Sequence, residues 1–254
     1  MPHPARVYDY WLGGKDNFAA DRELGEHTLA AYPNLVYSVR ANRTFLVRAV
    51  RFLAAEMGIR QFLDIGTGIP TANNTHEVAQ SVAPESRIVY VDNDPLVLSH
   101  ARALLSSSPE GATDYLDADL RDTDRILKLA AGTLDFSRPV AIMLLAILHY
   151  IPDLDEAQRI VARLVGAVPP GSYLVISHAA SDIDPAAMAE MIRRMNEHLA
   201  EGNHVGRPRD VVARFFADVD LVEPGVVKVT QWRPASAVAA QTPTSLWGGV
   251  GCKP

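Results

Sequence analysis

The 254-residue sequence has a single cysteine, Cys252, and lacks any hydrophobic run long enough to cross a membrane. One cysteine cannot form an internal disulfide, which is typical of proteins in a reducing compartment. The longest apolar run, Val140–Leu148, is far shorter than the ~20 residues of a membrane helix. The N-terminus also lacks the apolar segment of a secretory signal. These absences predict a cytoplasmic protein without a membrane partner.

The sequence lacks an excess of basic residues, since 24 basic and 30 acidic side chains give a formal charge of −6. This balance argues against non-specific binding to nucleic acid, so we expect no nucleic-acid partner. The sequence has no Cys/His cluster with metal-ligand spacing, no Gly-x-Ser-x-Gly elbow and no Walker A loop. The length and the 48% hydrophobic share allow one large α/β unit with a sizeable core.

The stretch Gln61–Thr71 (QFLDIGTGIPT) carries the clearest motif. Its apolar first half predicts a buried strand, and Gly66 and Gly68 allow a sharp turn that approaches a ligand closely. We expect a helix to begin at Pro70, capped by a threonine of the turn, with its free N–H groups pointing into the turn. Strand, glycine turn and helix in this order are typical of a nucleotide-type site.

The next predicted strand, Arg87–Val91, ends in Asp92, 24 residues after the second glycine of the turn. In nucleotide-binding βαβ units an acid at about this distance binds both ribose hydroxyls, because a carboxylate offers two acceptor oxygens. We therefore assign Asp92 to a ribose, with Asn93 beside the adenine. Asp94 is predicted to cap the following helix, Leu96–Ser106.

The glycine turn distinguishes two classes of enzyme. A dinucleotide site carries a third glycine three residues after Gly68, where this chain has Thr71, so an NAD-dependent oxidoreductase remains only as an alternative. Asp64 stands two places before the first glycine. That arrangement resembles motif I of class I S-adenosylmethionine-dependent methyltransferases, in which the turn wraps the methionine end of the cofactor.

The N-terminal segment Arg6–Phe18 (RVYDYWLGGKDNF) makes the resemblance specific. It has no clear period, so we predict a loop or lid, with an arm packed on its own domain as the alternative. Together with Phe62–Gln80, Arg87–Asp94 and the ending Gly248–Pro254, it resembles an actinobacterial family of S-adenosylmethionine-dependent methyltransferases long catalogued as a domain of unknown function. The resemblance covers essentially the whole chain.

The resemblance implies a Rossmann-like α/β fold with S-adenosylmethionine as cofactor. Its sheet would have seven mostly parallel strands, helices on both faces and a terminal antiparallel hairpin. We expect residues 1–58 to form an N-terminal helical lid and helices packed on a core of residues 59–254, in one structural unit. A small-molecule acceptor is expected, although the family's acceptors are largely undefined. A non-catalytic sensor that binds S-adenosylmethionine is a second alternative, and the oligomeric state, monomer or homodimer, stays open.

The resemblance also implies an adenine site at the exit of the third predicted strand, Thr113–Leu120. In class I methyltransferases an acid at this exit accepts the adenine amino group, and the next backbone N–H binds the ring. By position these residues are Asp119 and Leu120, with Asp117 as the competing choice. At the methionine end, the expected cofactor residues are Asp64, Gly66, Thr67 and Gly68.

The candidates for catalysis follow two later strands. The apolar run Pro139–Leu145 predicts a central strand covered on both faces. In the superfamily its exit lies beside the sulfonium and the acceptor, so Leu145 is assigned to the cofactor. His149 is the candidate base, with a histidine that only packs or bonds to backbone as the alternative. His178, after the strand Tyr173–Ser177, lines the acceptor pocket or simply bonds within a loop.

Closure over the cofactor is assigned to the N-terminal segment, where Tyr10, Gly13, Gly14 or Lys15 would cover the site. The remaining predicted elements are the helices Asp21–Ala31, Ser38–Met57, Asp155–Val168, Asp184–Leu199 and Asp210–Phe216. Ser38 is the expected cap of the second of these helices. Leu221–Val222 and Val226–Trp232 are predicted to pair as an antiparallel hairpin, and the loop Glu201–Arg209 is a candidate substrate gate.

Overall fold

The computed structural model describes residues 1–97, 99, 107–199 and 203–254, and a single mostly parallel sheet organises them. The described strands are β1 (Gln61–Ile65), β2 (Arg87–Asp92), β3 (Ala112–Asp117), β4 (Ala141–Leu145), β5 (Tyr173–Ala179), β6 (Asp220–Leu221), β7 (Val227–Lys228) and β8 (Leu246–Cys252). Their order across the sheet is β3-β2-β1-β4-β5-β8-β6, and β7 also pairs with β8, so the described sheet has eight strands and not the expected seven. Strands β1 to β5 are parallel, and β8 runs antiparallel to its neighbours.

Helices cover both faces of this sheet. They are α1 (Pro4–Leu12), α2 (Ala19–Ala31), α3 (Leu35–Ala55), α4 (Thr75–Val82), α5 (Thr123–Ala130), α6 (Leu154–Gly166), α7 (Pro185–His198), α8 (Arg209–Ala213) and α9 (Ala237–Ala240). Short 3₁₀ turns span Leu148–Tyr150, Arg214–Phe216 and Val229–Gln231. Most of the predicted helix Leu96–Ser106 and part of the predicted gate Glu201–Arg209 lie outside the described residues.

The sheet divides the core into two layers, because successive side chains of a strand point to opposite faces. In β1, Phe62 packs with α3 and Trp232 on one face, while Leu63 packs with α5 and α6 on the other. All five residues of β1 and of β4 are buried, as expected for parallel strands covered on both sides. A third cluster joins α1, α2 and α7 through Trp11, Leu24 and Met191.

The prediction that the N-terminal segment is a loop was wrong, because Pro4–Leu12 is helical. Val7 and Trp11, four residues apart, lie on one buried face of α1. The helix ends at Gly13, whose φ of 84° lies in the left-handed region that glycine tolerates best. The polar residues that obscured the pattern occupy the other faces of the helix.

Two predicted helix starts were also wrong. The helix after the glycine turn begins at Thr75 and not at Pro70, because Asn74 and Glu77 form a capping box there. Helix α3 begins at Leu35, so Ser38 lies inside it and does not cap it. The Ser38 hydroxyl instead contacts the Ser245 hydroxyl at 3.1 Å, which ties α3 to the chain entering β8.

The predicted hairpin is also absent, since β6 and β7 pair with β8 and not with each other. Sequence analysis did not identify β8 as a strand, because it contains Gly248, Gly249 and Gly251 and glycine is depleted in strands. The structure gives the reason for these glycines. A Cβ at Gly251 would lie 2.4 Å from the side chain of Val219, and a Cβ at Gly248 would lie 2.7 Å from that of Val229.

Candidate active site

A cavity of about 330 Å³ opens at the carboxyl ends of the parallel strands, where open α/β sheets bind their ligands. It is covered by the start of α1 and by one face of α3. Nine predicted cofactor residues line it: Asp64, Gly66, Thr67, Gly68, Asp92, Asn93, Asp119, Leu120 and Leu145. The fold therefore brings the exits of four adjacent strands, β3, β2, β1 and β4, to one wall.

The glycine turn after β1 is held by backbone bonds to β2. Gly66 has a φ of 78°, and its N–H donates to the Val91 carbonyl at 2.8 Å. A Cβ on Gly66 would lie 2.6 Å from the Ile147 side chain, so only glycine lets the turn and the β4 exit approach this closely. The Thr67 hydroxyl lies 3.2 Å from the same Val91 carbonyl.

Asp64 is a buried carboxylate at the end of β1. Its Oδ2 accepts a 2.6 Å hydrogen bond from the Thr75 hydroxyl at the start of α4. Burial raises the pKa of Asp64 to about 6, although the Thr75 bond and the nearby Arg43 guanidinium lower it. The Arg43 guanidinium itself donates to the carbonyls of Ala72 and Asn73, each at 3.1 Å, and so holds the loop that leads into α4.

Asp92 joins the exits of β1 and β2. Its Oδ2 accepts from the Gly68 N–H at 2.8 Å, and its Oδ1 accepts from the Asp94 N–H at 3.0 Å. Burial raises the pKa of Asp92, while these two backbone N–H groups lower it. Each oxygen keeps a lone pair for a further donor, so the carboxylate is positioned to accept two ligand hydroxyls.

The opposite end of the cavity lies at the exit of β3. Asp119 is partly exposed, with its Oδ2 lying 3.4 Å from the Asn93 amide nitrogen and its Oδ1 accepting from the Arg121 N–H at 2.8 Å. Ala118 and Leu120 are buried on either side of it. This end combines one carboxylate with buried apolar side chains, which suits an adenine ring. Asp117, the competing candidate, is exposed and does not line the cavity.

The start of α1 covers the cavity with residues that sequence analysis did not identify, including Pro4, Ala5 and Tyr8. This start is held by the Asp94 carboxylate, which lies 2.9 Å from Nδ1 of His3 and forms an ion pair with Arg6 at 3.1 Å. Because α1 is a helix, residues three and four positions apart share its cavity face. Tyr10, two positions after Tyr8, is rotated by about 200° around the helix axis.

Two predicted closing residues consequently lie elsewhere. The Tyr10 ring packs on Gly25 of α2, and its hydroxyl contacts Glu26 at 3.2 Å. Gly13 lines a separate crevice of about 410 Å³ between α1 and the loop after β1, together with Gly14 and Lys15. Neither Tyr10 nor Gly13 lines the main cavity.

Hydrogen bonds connect four segments at the β4 exit. The Ala146 N–H donates to the Ser177 hydroxyl at 3.0 Å, and this hydroxyl donates to the Asn42 carbonyl oxygen at 2.6 Å. The Asn42 amide donates to the Tyr8 hydroxyl at 3.1 Å, which donates to the Val39 carbonyl at 3.3 Å. Ala146 has a φ of 54°, an uncommon conformation for a residue other than glycine, and the bond to Ser177 holds it.

The two candidate catalytic histidines are buried behind the cavity wall. His178 lies inside β5, where its Nδ1 donates to the Ala179 carbonyl and its Nε2 accepts from Arg207, both at 2.8 Å. Both ring nitrogens are therefore occupied, and burial lowers the pKa of His178 to about 3. His149 lies against His204, with ring centroids 4.3 Å apart, and burial lowers its pKa well below the usual value. The geometry lends no support to either histidine as a base that contacts the acceptor.

Apart from Leu145, sequence analysis did not identify the residues around the β4 exit that line the cavity. We call the half of the cavity formed by Leu46, Leu145, Ala146, Ile147, Tyr150 and Leu199 the acceptor-side wall, with Tyr8 and Asn42 at its edge. These residues come from α1, α3, the β4 exit and the end of α7. The only sequence signal for them was the apolar run of β4, because the other positions meet only in the folded chain.

The fold and the glycine turn together define the class of the protein. The sheet is mostly parallel, with an antiparallel β8 inserted beside β5, and the glycine turn after β1 bonds to an acidic residue at the end of β2. Together these features constitute a class I methyltransferase fold. An N-methyltransferase, NodS, from Bradyrhizobium japonicum WM9 in complex with S-adenosyl-L-homocysteine shares this fold, with a TM-score of 0.52 and 16% identity. The similarity covers 98% of this chain and 99% of that one.

The chain belongs to the S-adenosyl methyltransferase family, whose family model matches residues 1–254. A DUF574 family protein from Streptomyces avermitilis MA-4680 is 45% identical, with a TM-score of 0.95 over 100% of this chain and 98% of that one. A putative methyltransferase from Thermobifida fusca YX is also 45% identical, with a TM-score of 0.90 over 100% and 95% of the two chains. Among curated proteins, none matches this chain.

These findings confirm the resemblance to the actinobacterial family, the fold class and S-adenosylmethionine as cofactor. The protein is an S-adenosylmethionine-dependent methyltransferase. The oxidoreductase alternative gains no support from any of these similarities. Among the helices that the structure describes, none combines the length and the apolar character that crossing a bilayer requires.

Proposed function

We propose that this enzyme methylates a small molecule bound in the cavity at the β4 exit. One observation carries the proposal: nine residues from four strand exits line a single cavity that continues into the largely apolar acceptor-side wall. The formal charge of −6 also favours a small-molecule acceptor over nucleic acid. The single cysteine is consistent with activity in the cytoplasm.

The residues present fit S-adenosylmethionine. When bound, the cofactor supplies a methyl group activated by a sulfonium. Asp92 accepts the two ribose hydroxyls with the lone pairs left free by Gly68 and Asp94. Among the described residues, Oδ1 of Asp64 has no hydrogen-bond partner, so this oxygen is available to the methionine ammonium. Asp119 and the Leu120 N–H recognise the adenine, with Asn93 beside it.

The chain's own contribution to rate is positioning and exclusion of water. Gly66 and Thr67 fix the turn beneath the methionine end, and Leu145 supplies apolar wall next to it. Residues 1–58 act as the lid, because α1 and α3 cover the cavity from above. Holding an acceptor in attack geometry within a dry pocket provides most of the barrier reduction that methyl transfer requires.

Two experiments test this proposal. In calorimetric titration, S-adenosyl-L-homocysteine should bind with micromolar affinity and NADH should not bind; binding of NADH alone would overturn the cofactor assignment. In the second, the protein is incubated with methyl-labelled S-adenosylmethionine and a cell extract separated into small molecules and macromolecules. Label should enter the small-molecule fraction, whereas label confined to macromolecules would contradict a small-molecule acceptor.

A further inference from the structure

Tyr150 stands out among the polar side chains of the cavity. The hydroxyl of Tyr8, the amide of Asn42 and the carboxylate of Asp92 all have protein partners. Among the described residues, the Tyr150 hydroxyl has no hydrogen-bond partner, although the residue lines the cavity. A polar group at a largely apolar wall requires a partner, and a ligand can supply it.

The Tyr150 ring is held rigidly in place. It stacks on His204 with centroids 5.2 Å apart and meets His149 edge-on at 4.5 Å. The 3₁₀ turn that carries it is fixed by Arg207, whose guanidinium donates to the carbonyls of Leu148 at 3.1 Å and Ile151 at 2.6 Å. The hydroxyl is therefore preorganised, as a group that orients a ligand must be.

The ionisation state of Tyr150 is equally fixed. Burial raises its pKa, and the neighbouring Tyr8 and Asp92 raise it further. The phenol keeps its proton at physiological pH, so it serves as a hydrogen-bond donor and acceptor and not as a base. Tyr150 lines the cavity together with Tyr8 and Asp92.

The sheet order indicates which ligand lies next to Tyr150. The adenine, ribose and methionine sites proposed above follow β3, β2 and β1 in turn, and β4 is the next strand across the sheet. The Ile147 side chain already contacts the turn at Gly66, so the β4 exit lies directly beyond the methionine end. The group next to Tyr150 on this side is therefore the methyl acceptor.

The acceptor-side wall also restricts the charge of its ligand. Within the part of the chain that the structure describes, its six residues carry no ionisable group other than the phenol of Tyr150. The two cavity arginines already have partners, because Arg43 donates to loop carbonyls and Arg121 pairs with Glu156 at 3.2 Å while donating to the Tyr150 carbonyl at 3.4 Å. The nearby Asp92 and Arg121 are also engaged by other partners, so burying a charged acceptor against this wall would leave its charge without an unpaired counter-charge from the protein.

On the basis of the proposed function, we propose that Tyr150 is an acceptor-binding residue and that the acceptor is an uncharged, largely apolar molecule with one hydroxyl or amine. The Tyr150 oxygen accepts the hydrogen of that group and so directs a lone pair of its heteroatom at the methyl carbon. The bond from the heteroatom to carbon forms as the carbon–sulfur bond breaks. The electron pair of that bond stays on sulfur, and the proton of the heteroatom passes to solvent as the methylated product leaves.

Three probes with the same ring and hydroxyl test this assignment: 4-ethylphenol, the anion 4-hydroxybenzoate and the cation tyramine. Each is titrated calorimetrically into the protein saturated with S-adenosyl-L-homocysteine. The neutral phenol should bind about tenfold or more tightly than either charged probe. Tighter binding of a charged probe, or no binding of 4-ethylphenol, would overturn the acceptor class.

The residue assignment is tested with Tyr150→Phe and with Tyr37→Phe, which removes an exposed hydroxyl as a matched control. Tyr150→Phe should weaken 4-ethylphenol binding about three- to tenfold, the value of one hydrogen bond. Tyr150→Phe should leave the affinity for S-adenosyl-L-homocysteine unchanged. Tyr37→Phe should leave the affinities for both S-adenosyl-L-homocysteine and 4-ethylphenol unchanged. A loss of cofactor affinity in Tyr150→Phe would instead assign the hydroxyl to the cofactor. Failure of the unsubstituted protein to bind S-adenosyl-L-homocysteine would contradict the proposed function rather than this inference.

Discussion

The two halves of the cavity are built in different ways. The half formed by β1, β2 and β3 uses residues between Asp64 and Arg121, and it is held by backbone N–H groups that bond to carboxylates such as Asp92. The acceptor-side wall uses residues from Tyr8 to Leu199, and it is held by side-chain packing and a chain of hydrogen bonds through Asn42. The first half is a local backbone structure, whereas the second exists only once distant segments have packed.

The largest effect is expected at the first half, from Asp92→Ala. This change removes both the ribose acceptor and the carboxylate that accepts from Gly68 and Asp94. Hydrogen bonds to a charged group contribute about 1.5–3 kcal/mol each, so the affinity for S-adenosyl-L-homocysteine should fall about 1,000-fold. Calorimetry measures this fall, and Asp117→Ala, an exposed acid at the next strand exit, is the control. Equal affinities of the two variants would contradict the ribose assignment.

The second prediction compares the two glycines of the turn. Gly66 and Gly68 have φ values of 78° and 66°, so alanine at either position costs about 1–2 kcal/mol of left-handed strain. A Cβ at Gly66 also meets Ile147 at 2.6 Å, whereas a Cβ at Gly68 meets nothing within 4 Å. Overpacking adds about 1–3 kcal/mol, so Gly66→Ala should have the lower free energy of unfolding in urea titrations. A lower free energy of unfolding for Gly68→Ala than for Gly66→Ala would mean that the glycine turn of the cofactor-side half does not contact Ile147 of the acceptor-side wall.

The third prediction concerns stability behind the acceptor-side wall. Both ring nitrogens of His204 are buried without partners among the described residues, and burial lowers its pKa to about 4. The folded form therefore binds fewer protons than the unfolded chain as pH falls below about 6.5, so stability is lost on acidification from there to about 4. At pH 5 the loss from this residue is about 2 kcal/mol.

A matched pair of variants isolates this contribution of His204. His204→Phe should reduce the dependence of unfolding free energy on pH between 7 and 4, since phenylalanine fills the space without titrating, while His149 and His178 keep their own contributions. His27→Phe, which changes an exposed histidine, should leave the dependence unaltered. Parallel pH profiles for His204→Phe and the unsubstituted protein would show that this histidine is not buried in its neutral form.

The smallest effect is expected at Asp64, where pH should control cofactor binding. The ammonium of S-adenosyl-L-homocysteine favours the ionised carboxylate, whose pKa is raised to about 6 in the free protein. Below that pH the protein must release a proton to bind, so affinity should fall about tenfold between pH 7 and pH 5. Asp64→Asn should bind more weakly and with little pH dependence over that range. An unsubstituted protein with a flat profile would contradict the contact with the ammonium.

The cofactor-side half could be predicted from the sequence because its signals are local. A strand, a glycine turn and an acid 24 residues later are fixed by short-range sterics and by the length of one βαβ unit. The same reasoning placed Asp94 as a cap, and its Oδ1 does accept from the Leu96 N–H at 2.9 Å. Confirmation of the family and the fold class came from comparison of the whole chain.

The acceptor-side half could not be predicted, because its residues share no local pattern. Tyr8 was missed because α1 was interpreted as a loop. Without a helix, the sequence could not predict that Tyr8 and Tyr10 point to different faces. Tyr150 was passed over for its neighbour His149, because residue chemistry favoured the imidazole while the 3₁₀ turn directs the phenol to the cavity. Both errors concern the direction of side chains and not the position of strands.

The insertion of β8 between β5 and β6 also has a consequence for the order of folding. Among the described strands, β6 and β7 pair only with β8. Strand β5 lies between β4 and β8, so β8 alone covers its second edge. During synthesis, β5 therefore remains an open edge until residues 246–252 are made, and open edges pair readily with other chains. Contacts between segments so far apart in sequence also close slowly. Nascent chains of this protein should accordingly depend on protection of β5 until the last strand is in place.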